Sequence, residues 1–273
     1  MANEERIIEV TEVQTEQRAL AQLPVVLQLA DAGKLRVSAA TRKPTAVTMR
    51  LLKAELPGGD FYTDEPISSF AWPLLLQAGG LADGPRMMLT PRGRTALAKD
   101  PALVVKGLWD RWLKAGIIDE FSRVEAIKGQ RSANVLSALK PRRQLAAEGL
   151  RLLSEDSWTP VDALFAEMQA MGMDPQIERT EMRLWKLYIE DPQYGSLGYE
   201  GYSDWSLLQG RYVLVLLFEY AATLGLVDVR YVPAEGARSD HINQWGGEWL
   251  NRLSRYDGLQ EVRLTSLGRH CLA

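Results

Sequence analysis

Apolar positions three and four residues apart mark six helices in this chain: Leu20 to Ala32, Ala46 to Leu56, Ile67 to Gln77, Pro141 to Leu153, Val161 to Met171 and Leu207 to Thr223. Alternating positions mark short strands at Lys34 to Ser38 and Val227 to Tyr231. Thr45 stands where an N-cap belongs, and Thr159-Pro160 reads as an N-cap followed by proline at the first helical position. Trp158 fills a short strand position ahead of them. From Ala102 to Lys140 the segments LVVKGLWDRWLKAG and IIDEFSRVEAIKGQ have helical spacing, with Gly116 and Gly129 as punctuation, so two or three helices are expected there.

The pattern repeats. Phe70 to Leu97 reads FAWPLLLQAGGLADGPRMMLTPRGRTAL. Tyr212 to Val232 reads YVLVLLFEYAATLGLVDVRYV, and after an insertion Glu261 to Leu272 reads EVRLTSLGRHCL. Each copy is an apolar helix stopped by Gly-Leu, a strand, a turn, a second strand and the closing motif L-T-x-x-G-R. Glycine after a helix takes the left-handed conformation without steric cost. Asp83-Gly84-Pro85 is a strong turn signal. Ser254 to Leu259, with Asp257-Gly258, reads as the second wing tip or its approach. Thr90 and Thr265 are placed to cap the helix that follows each copy.

On these residues the chain resembles the winged-helix superfamily, in particular tandem winged-helix modules of bacterial helicase-associated or defence-type proteins. The resemblance implies a mainly α fold with small β wings. It divides the chain into an N-terminal tail (1–17), a first winged-helix domain (18–100), a helical linker (101–140) and a second winged-helix domain with an aromatic loop insertion (141–273). It also implies binding rather than chemistry, with an ATPase in trans as a conceivable partner.

Composition narrows the chemistry. The 273 residues are 46 % hydrophobic and 25 % charged, the balance of a globular protein. Cys271 is the sole cysteine and His241 and His270 the only histidines, too few ligands for a structural zinc site and none for a disulfide. No phosphate loop, G-x-S-x-G, H-E-x-x-H or G-x-G-x-x-G occurs. The carboxylate doublets Asp119-Glu120, Glu155-Asp156 and Glu190-Asp191 read as solvated faces. Neither a secretory leader nor a membrane span is evident, and a reducing cytoplasmic setting is expected. No catalytic role, cofactor or metal is expected.

A net charge of −3 hides an asymmetry. Residues 84–143 carry thirteen Lys or Arg against five Asp or Glu; residues 144–250 carry seven against seventeen. A basic stripe is the footprint of phosphate contact. The candidates are Arg86, Arg92 and Arg94 at the first wing, Lys128, Arg131, Lys140, Arg142 and Arg143 in and after the linker, and Arg42 and Lys43 before the second helix. The bland alternative is a solvated helical face with pairs such as Asp110 and Lys114. Both third helices are nearly free of Lys and Arg, so major-groove reading is not expected, and DNA would be held by its backbone with weak sequence preference.

Seven of the twenty-two aromatic residues fall between Trp185 and Tyr212, in a stretch with four acids and no Lys or Arg between Leu187 and Gly210. That sign is wrong for a single-strand platform. Tyr194, Tyr199, Tyr202 and Trp205 are candidates for a protein contact, against the alternative that their rings pack into a satellite core. The expected function is that of a nucleic-acid-binding accessory protein. The alternative is an interaction scaffold in a larger assembly, with winged helices that no longer read DNA.

Overall fold

The structure, a computed structural model, describes residues 9–199 and 205–273. The first half runs β1 (Thr11–Val13), α1 (Thr15–Asp31), α2 (Ala46–Glu55), α3 (Ser68–Ala78), β2 (Ala82–Asp83), β3 (Met88–Leu89), α4 (Pro91–Ala96), α5 (Pro101–Trp112) and β4 (Ile127–Lys128). The second half runs α6 (Leu139–Glu148), β5 (Thr159–Pro160), α7 (Val161–Ala170), β6 (Tyr188–Ile189), α8 (Arg211–Val215), β7 (Val227–Tyr231), β8 (Leu259–Leu264) and α9 (Ser266–Leu272). The chain is mainly helical, with small antiparallel sheets. No helix among the described residues is long and apolar enough to cross a membrane.

The two halves run through partly similar orders of elements, although in the second a 3-10 turn, Glu181–Lys186, and β6 intervene between α7 and α8. In the first half α1, a bridge between Val37 and Pro44, α2, α3 and the β2–β3 hairpin lead into α4. In the second, α6, β5, α7, α8 and the β7–β8 pair lead into α9. The L-T-x-x-G motif has one physical role in both. The Thr90 hydroxyl donates to the Gly80 carbonyl at 2.7 Å and accepts from the Gly93 amide at 3.1 Å. The Thr265 hydroxyl donates to Gly225 at 2.7 Å and accepts from Gly268 at 2.8 Å. One side chain thus caps the closing helix and ties it to the end of the preceding apolar helix. A Cβ on Gly93 would stand 2.0 Å from the Leu81 carbonyl oxygen, and one on Gly268 would stand 2.1 Å from that of Leu226. Glycine is required there by close approach of backbone to backbone.

The largest sheet has the order β1-β7-β8-β5. β7 buries Val227, Val229 and Tyr231 on one face, as its alternation and β-branching imply, and Asp228 on the other face is buried as well, against that expectation. Its outer neighbour β1 lies in the stretch expected to be a tail. Thr11 pairs with Tyr231 and Val13 with Val229. The Thr15 amide donates to Asp228 Oδ1 at 2.8 Å and its hydroxyl to the Val227 carbonyl at 2.6 Å. Residues 11–17 are therefore sheet and helix, held by partners more than 200 positions away.

The apolar core is continuous across the expected boundaries at 100 and 140, running from Leu23 through Trp112 to Leu272. Trp109 stacks on Trp112 at 5.2 Å and Trp112 on Tyr220 at 4.5 Å, fastening α5 to the helix around α8. α8 is extended on both sides by π-helical turns, Ser206–Gly210 and Leu216–Ala221. Tyr62 Oη donates to the Val232 carbonyl and Tyr231 Oη to that of Phe61.

Several local expectations fail. Thr159 does not cap α7: Thr159–Pro160 is β5, Pro160 itself stands at the N-cap and no side chain caps the helix, because the strand pairing with β8 takes these two residues. Lys34 to Ser38 forms only the single bridge between Val37 and Pro44 rather than a strand. IIDEFSRVEAIKGQ forms a single 3-10 turn, Glu120–Arg123, and the strand β4 instead of a helix. Asp119 accepts from the Phe121 amide, while the Glu120 and Arg123 side chains are drawn into the core by charged partners on other elements. Trp158 precedes β5 rather than filling it, and the guanidinium groups of Arg230 and Arg263 both lie over its ring, 4.2 and 4.7 Å from the ring centre.

Candidate nucleic-acid interface

The first concavity lies where α4 begins beside α5. Thr90 caps α4 and sets Arg92 in its first turn. Asp100 caps α5, with Pro101 at the first position, and Arg111 falls in its last turn, where a cation suits the helix dipole. Arg92, Arg111 and Lys114 line an open hollow of about 640 Å³ with Ala78, Gly107 and Asp110. A smaller hollow sharing Arg92 and Gly107 adds Lys99. None of these four cations forms an ion pair or side-chain hydrogen bond among the described residues. The expected pair between Asp110 and Lys114 does not form.

The second concavity, about 570 Å³, brings Lys43, Lys128 and Arg131 together. Lys43 is half-buried and has no carboxylate partner among the described residues. Burial, and behind it the charges of Arg123 and Arg131, hold its pKa below the usual lysine value. Lys128 is engaged by Glu190 at 3.2 Å. Arg131 is exposed and unpaired among the described residues.

A second, small apolar cluster is buried beneath α3. Phe70 and Leu74 of α3 pack against Ile118, with Met49 and Ile117 at the margin. Ala78, one turn beyond Leu74, lines the first hollow with Lys114, while Asp119 and Ser122 line the second. Arg42 is engaged at the end of α3: its Nε donates to Gln77 Oε1 at 3.2 Å and its Nη2 is 3.6 Å from Asp83. Arg86, Arg94 and Lys140 are exposed and unpaired among the described residues, the first in the β2–β3 turn, the second in α4, the third in the first turn of α6.

Arg142 and Arg143 do not belong to any interface. Both are buried. Arg143 donates to the carbonyls of Trp112, Ala115 and Ile118 and to Glu120 Oε1, which also faces an α8 tyrosine through Tyr212 Oη on Oε2 at 3.1 Å. Arg142 pairs with Asp119 and lies 4.8 Å from the Tyr212 ring centre. Burial raises the pKa of Glu120 against the pull of Arg143. For Arg142 burial works against the charge, but Asp119 and Tyr212 outweigh it and the pKa is raised. The Asp119-Glu120 doublet is therefore a structural anchor rather than a solvated face. Its legible signal is register: doublets of opposite sign pair 119 with 142 and 120 with 143, the same offset of 23.

Sequence reasoning missed how fully the other arginines are committed. Arg123 joins Glu219 at 2.9 Å in the core, and Arg211 joins Asp240 and Asp257. Every arginine after Trp205 is ion-paired. It also missed Lys99, Arg111 and Lys114 as site residues, although all three lie in the basic segment.

Of the aromatic candidates, Tyr194 and Tyr199 are exposed and Trp205 is half-buried against Phe165 at 5.1 Å. Tyr202 lies outside the described residues. Tyr199 instead touches two rings that were not singled out, Trp185 at 5.1 Å and Trp245 at 5.5 Å. These three contacting rings are 56 %, 51 % and 58 % exposed in the order Trp185, Tyr199, Trp245. Among the described residues no three His, Cys, Asp or Glu side chains converge as a cation site. Comparison of the chain with protein-family models, curated proteins and solved structures finds no match.

Proposed function

We propose that the chain is a non-catalytic nucleic-acid-binding protein built from two winged-helix units, and that it holds duplex DNA by its backbone along the two basic hollows. The observation that carries this reading is the contrast in charge commitment. Arg92, Lys99, Arg111, Lys114, Lys43 and Arg131 come from separate segments, surround open concave surface and have no carboxylate partner among the described residues, whereas the arginines after Trp205 are all neutralised. Unpaired cations on concave surface are what phosphate contact needs.

Weak sequence preference follows from the third helices. In α3 every residue from Ser68 to Gln77 is buried, and the helix around α8 is buried from Leu207 to Ala221. Neither has a polar face to offer base edges. The test is binding of the full chain to a labelled random-sequence duplex across a salt series. Tight binding that falls steeply with salt, and weakens when Arg92, Arg111 and Lys114 become Gln, is the expected result. Absence of binding at low salt overturns the reading.

The aromatic cluster favours a second reading, a protein-interaction scaffold. Large rings that touch each other yet stay half in solvent are the usual composition of a contact hot spot. Salt-tolerant capture of a defined partner that survives Trp185→Ala, Tyr199→Ala and Trp245→Ala together would remove this cluster from it.

A further inference from the structure

Beside the two cations assigned above to backbone contact, the second hollow has an aromatic ring and a rigid turn that such contact does not use. Two of its lining groups are carboxylates, yet both are already engaged: Asp119 by Arg142 and Glu125 by Arg255. Lys128 is likewise spent on Glu190. That leaves Lys43 and Arg131 as the uncommitted charges at its rim. The turn that presents Arg131 is held rigidly. Gln130 Nε2 donates to the Val124 and Ile127 carbonyls at 3.2 and 2.6 Å, the Ser132 amide donates to Gly129, and a Cβ on Gly129 would stand 1.7 Å from the Lys186 carbonyl oxygen. The rest of the lining mixes the polar side chains of Ser122, Gln130 and Ser132 with the apolar Val124, Ile127 and Leu136 and the half-buried ring of Tyr188. A preset cationic rim beside one aromatic ring, in a volume of about 570 Å³, falls within the size range of sites that take a small ligand, about 300–1,000 Å³.

We propose that this hollow receives one unpaired nucleotide, its phosphate on Lys43 and Arg131 and its base against Tyr188. This deepens the nucleic-acid reading and rests on it. A flat base on an aromatic ring is sequence-tolerant, because every base has a π face. The ligand chemistry is a nucleoside monophosphate, presented as a phosphorylated strand end or as a free nucleotide.

The test uses the full chain and four probes: a 3′-labelled tetranucleotide with a 5′-phosphate, the same without it, a blunt duplex, and free dAMP as competitor, with inorganic phosphate beside it. The phosphorylated tetranucleotide is expected to bind at least tenfold tighter than the unphosphorylated one. Lys43→Gln with Arg131→Gln removes that difference. Tyr188→Leu keeps that position apolar and the fold intact by circular dichroism, weakens the tetranucleotide about tenfold and leaves duplex binding unchanged. Competition by free dAMP as strong as by the tetranucleotide identifies the free nucleotide as the source. Duplex binding without tetranucleotide binding overturns this inference alone, as does inorganic phosphate competing as well as dAMP. Loss of duplex binding as well overturns the reading beneath it.

Discussion

Replacing Arg92, Arg111 and Lys114 by Gln removes half of the six unpaired cations that line the two hollows. Each phosphate neutralised contributes about −0.9 to the slope of log K against log salt for duplex DNA. Six contacts therefore give a slope of about −5, and three give about −2.7. Between 50 and 200 mM salt the wild type loses roughly three decades of affinity, and the variant roughly half of that on a logarithmic scale. The three side chains make no ion pairs, so the variant's stability stays within about 0.5 kcal/mol of wild type. Fluorescence anisotropy with a labelled 20-base-pair duplex reads the slopes, and a urea titration checks the fold. An unchanged slope in the triple variant refutes the assignment of these residues, and a wild-type slope near zero refutes phosphate contact as the source of binding.

Three further outcomes follow from the buried charges and the repeated motif. Arg143→Met leaves Glu120 unpaired in the core and costs about 3–5 kcal/mol in urea unfolding, while adding Glu120→Leu recovers most of that loss; a double variant no more stable than the single one contradicts the pairing. Gly93→Ala and Gly268→Ala each drive a methyl into a backbone carbonyl and cost about 1–3 kcal/mol, and Thr90→Ala or Thr265→Ala costs about 1 kcal/mol; equal effects at exposed Gly116, where a Cβ meets nothing, would deny the close approach. Burial works against the Asp240 carboxylate, but Arg211 outweighs it and holds the pKa below the usual value of 3.8. Its contribution is present above that value and is lost as pH falls through the depressed one, so Asp240→Asn flattens the acid limb of the stability curve below about pH 4. An unaltered acid limb argues against that linkage.

Local signals carried much of the fold. The stop at Gly80 and Gly225, the caps at Thr45, Thr90 and Thr265, and the strand at Val227 to Tyr231 all depend on residues within a few positions of one another. The basic hollows were half legible. Arg92, Lys43 and Arg131 stood out in a basic segment, but their neighbours Lys99, Arg111 and Lys114 did not separate from it. Arg142 and Arg143 looked the same in sequence as Arg92 and Arg94, and only their surroundings differ: carbonyls and carboxylates of the 112–120 segment enclose one pair, solvent surrounds the other.

By itself the sequence determined the two helix–Gly–Leu–strand–strand–T-x-x-G units, because capping and glycine geometry act over one or two turns. The tertiary structure alone decided that residues 11–13 complete the sheet on Val229 to Tyr231, that one core runs through both units, and that Trp185 and Trp245 meet on Tyr199. It also decided which cations remain available. A charge stays at the surface or enters the core according to whether a counter-charge and enough carbonyl oxygens are waiting for it. Those partners lie 23 positions away for Arg143 and 96 for Arg123. Local pattern records that a residue is charged; folding the chain brings the partner that neutralises it.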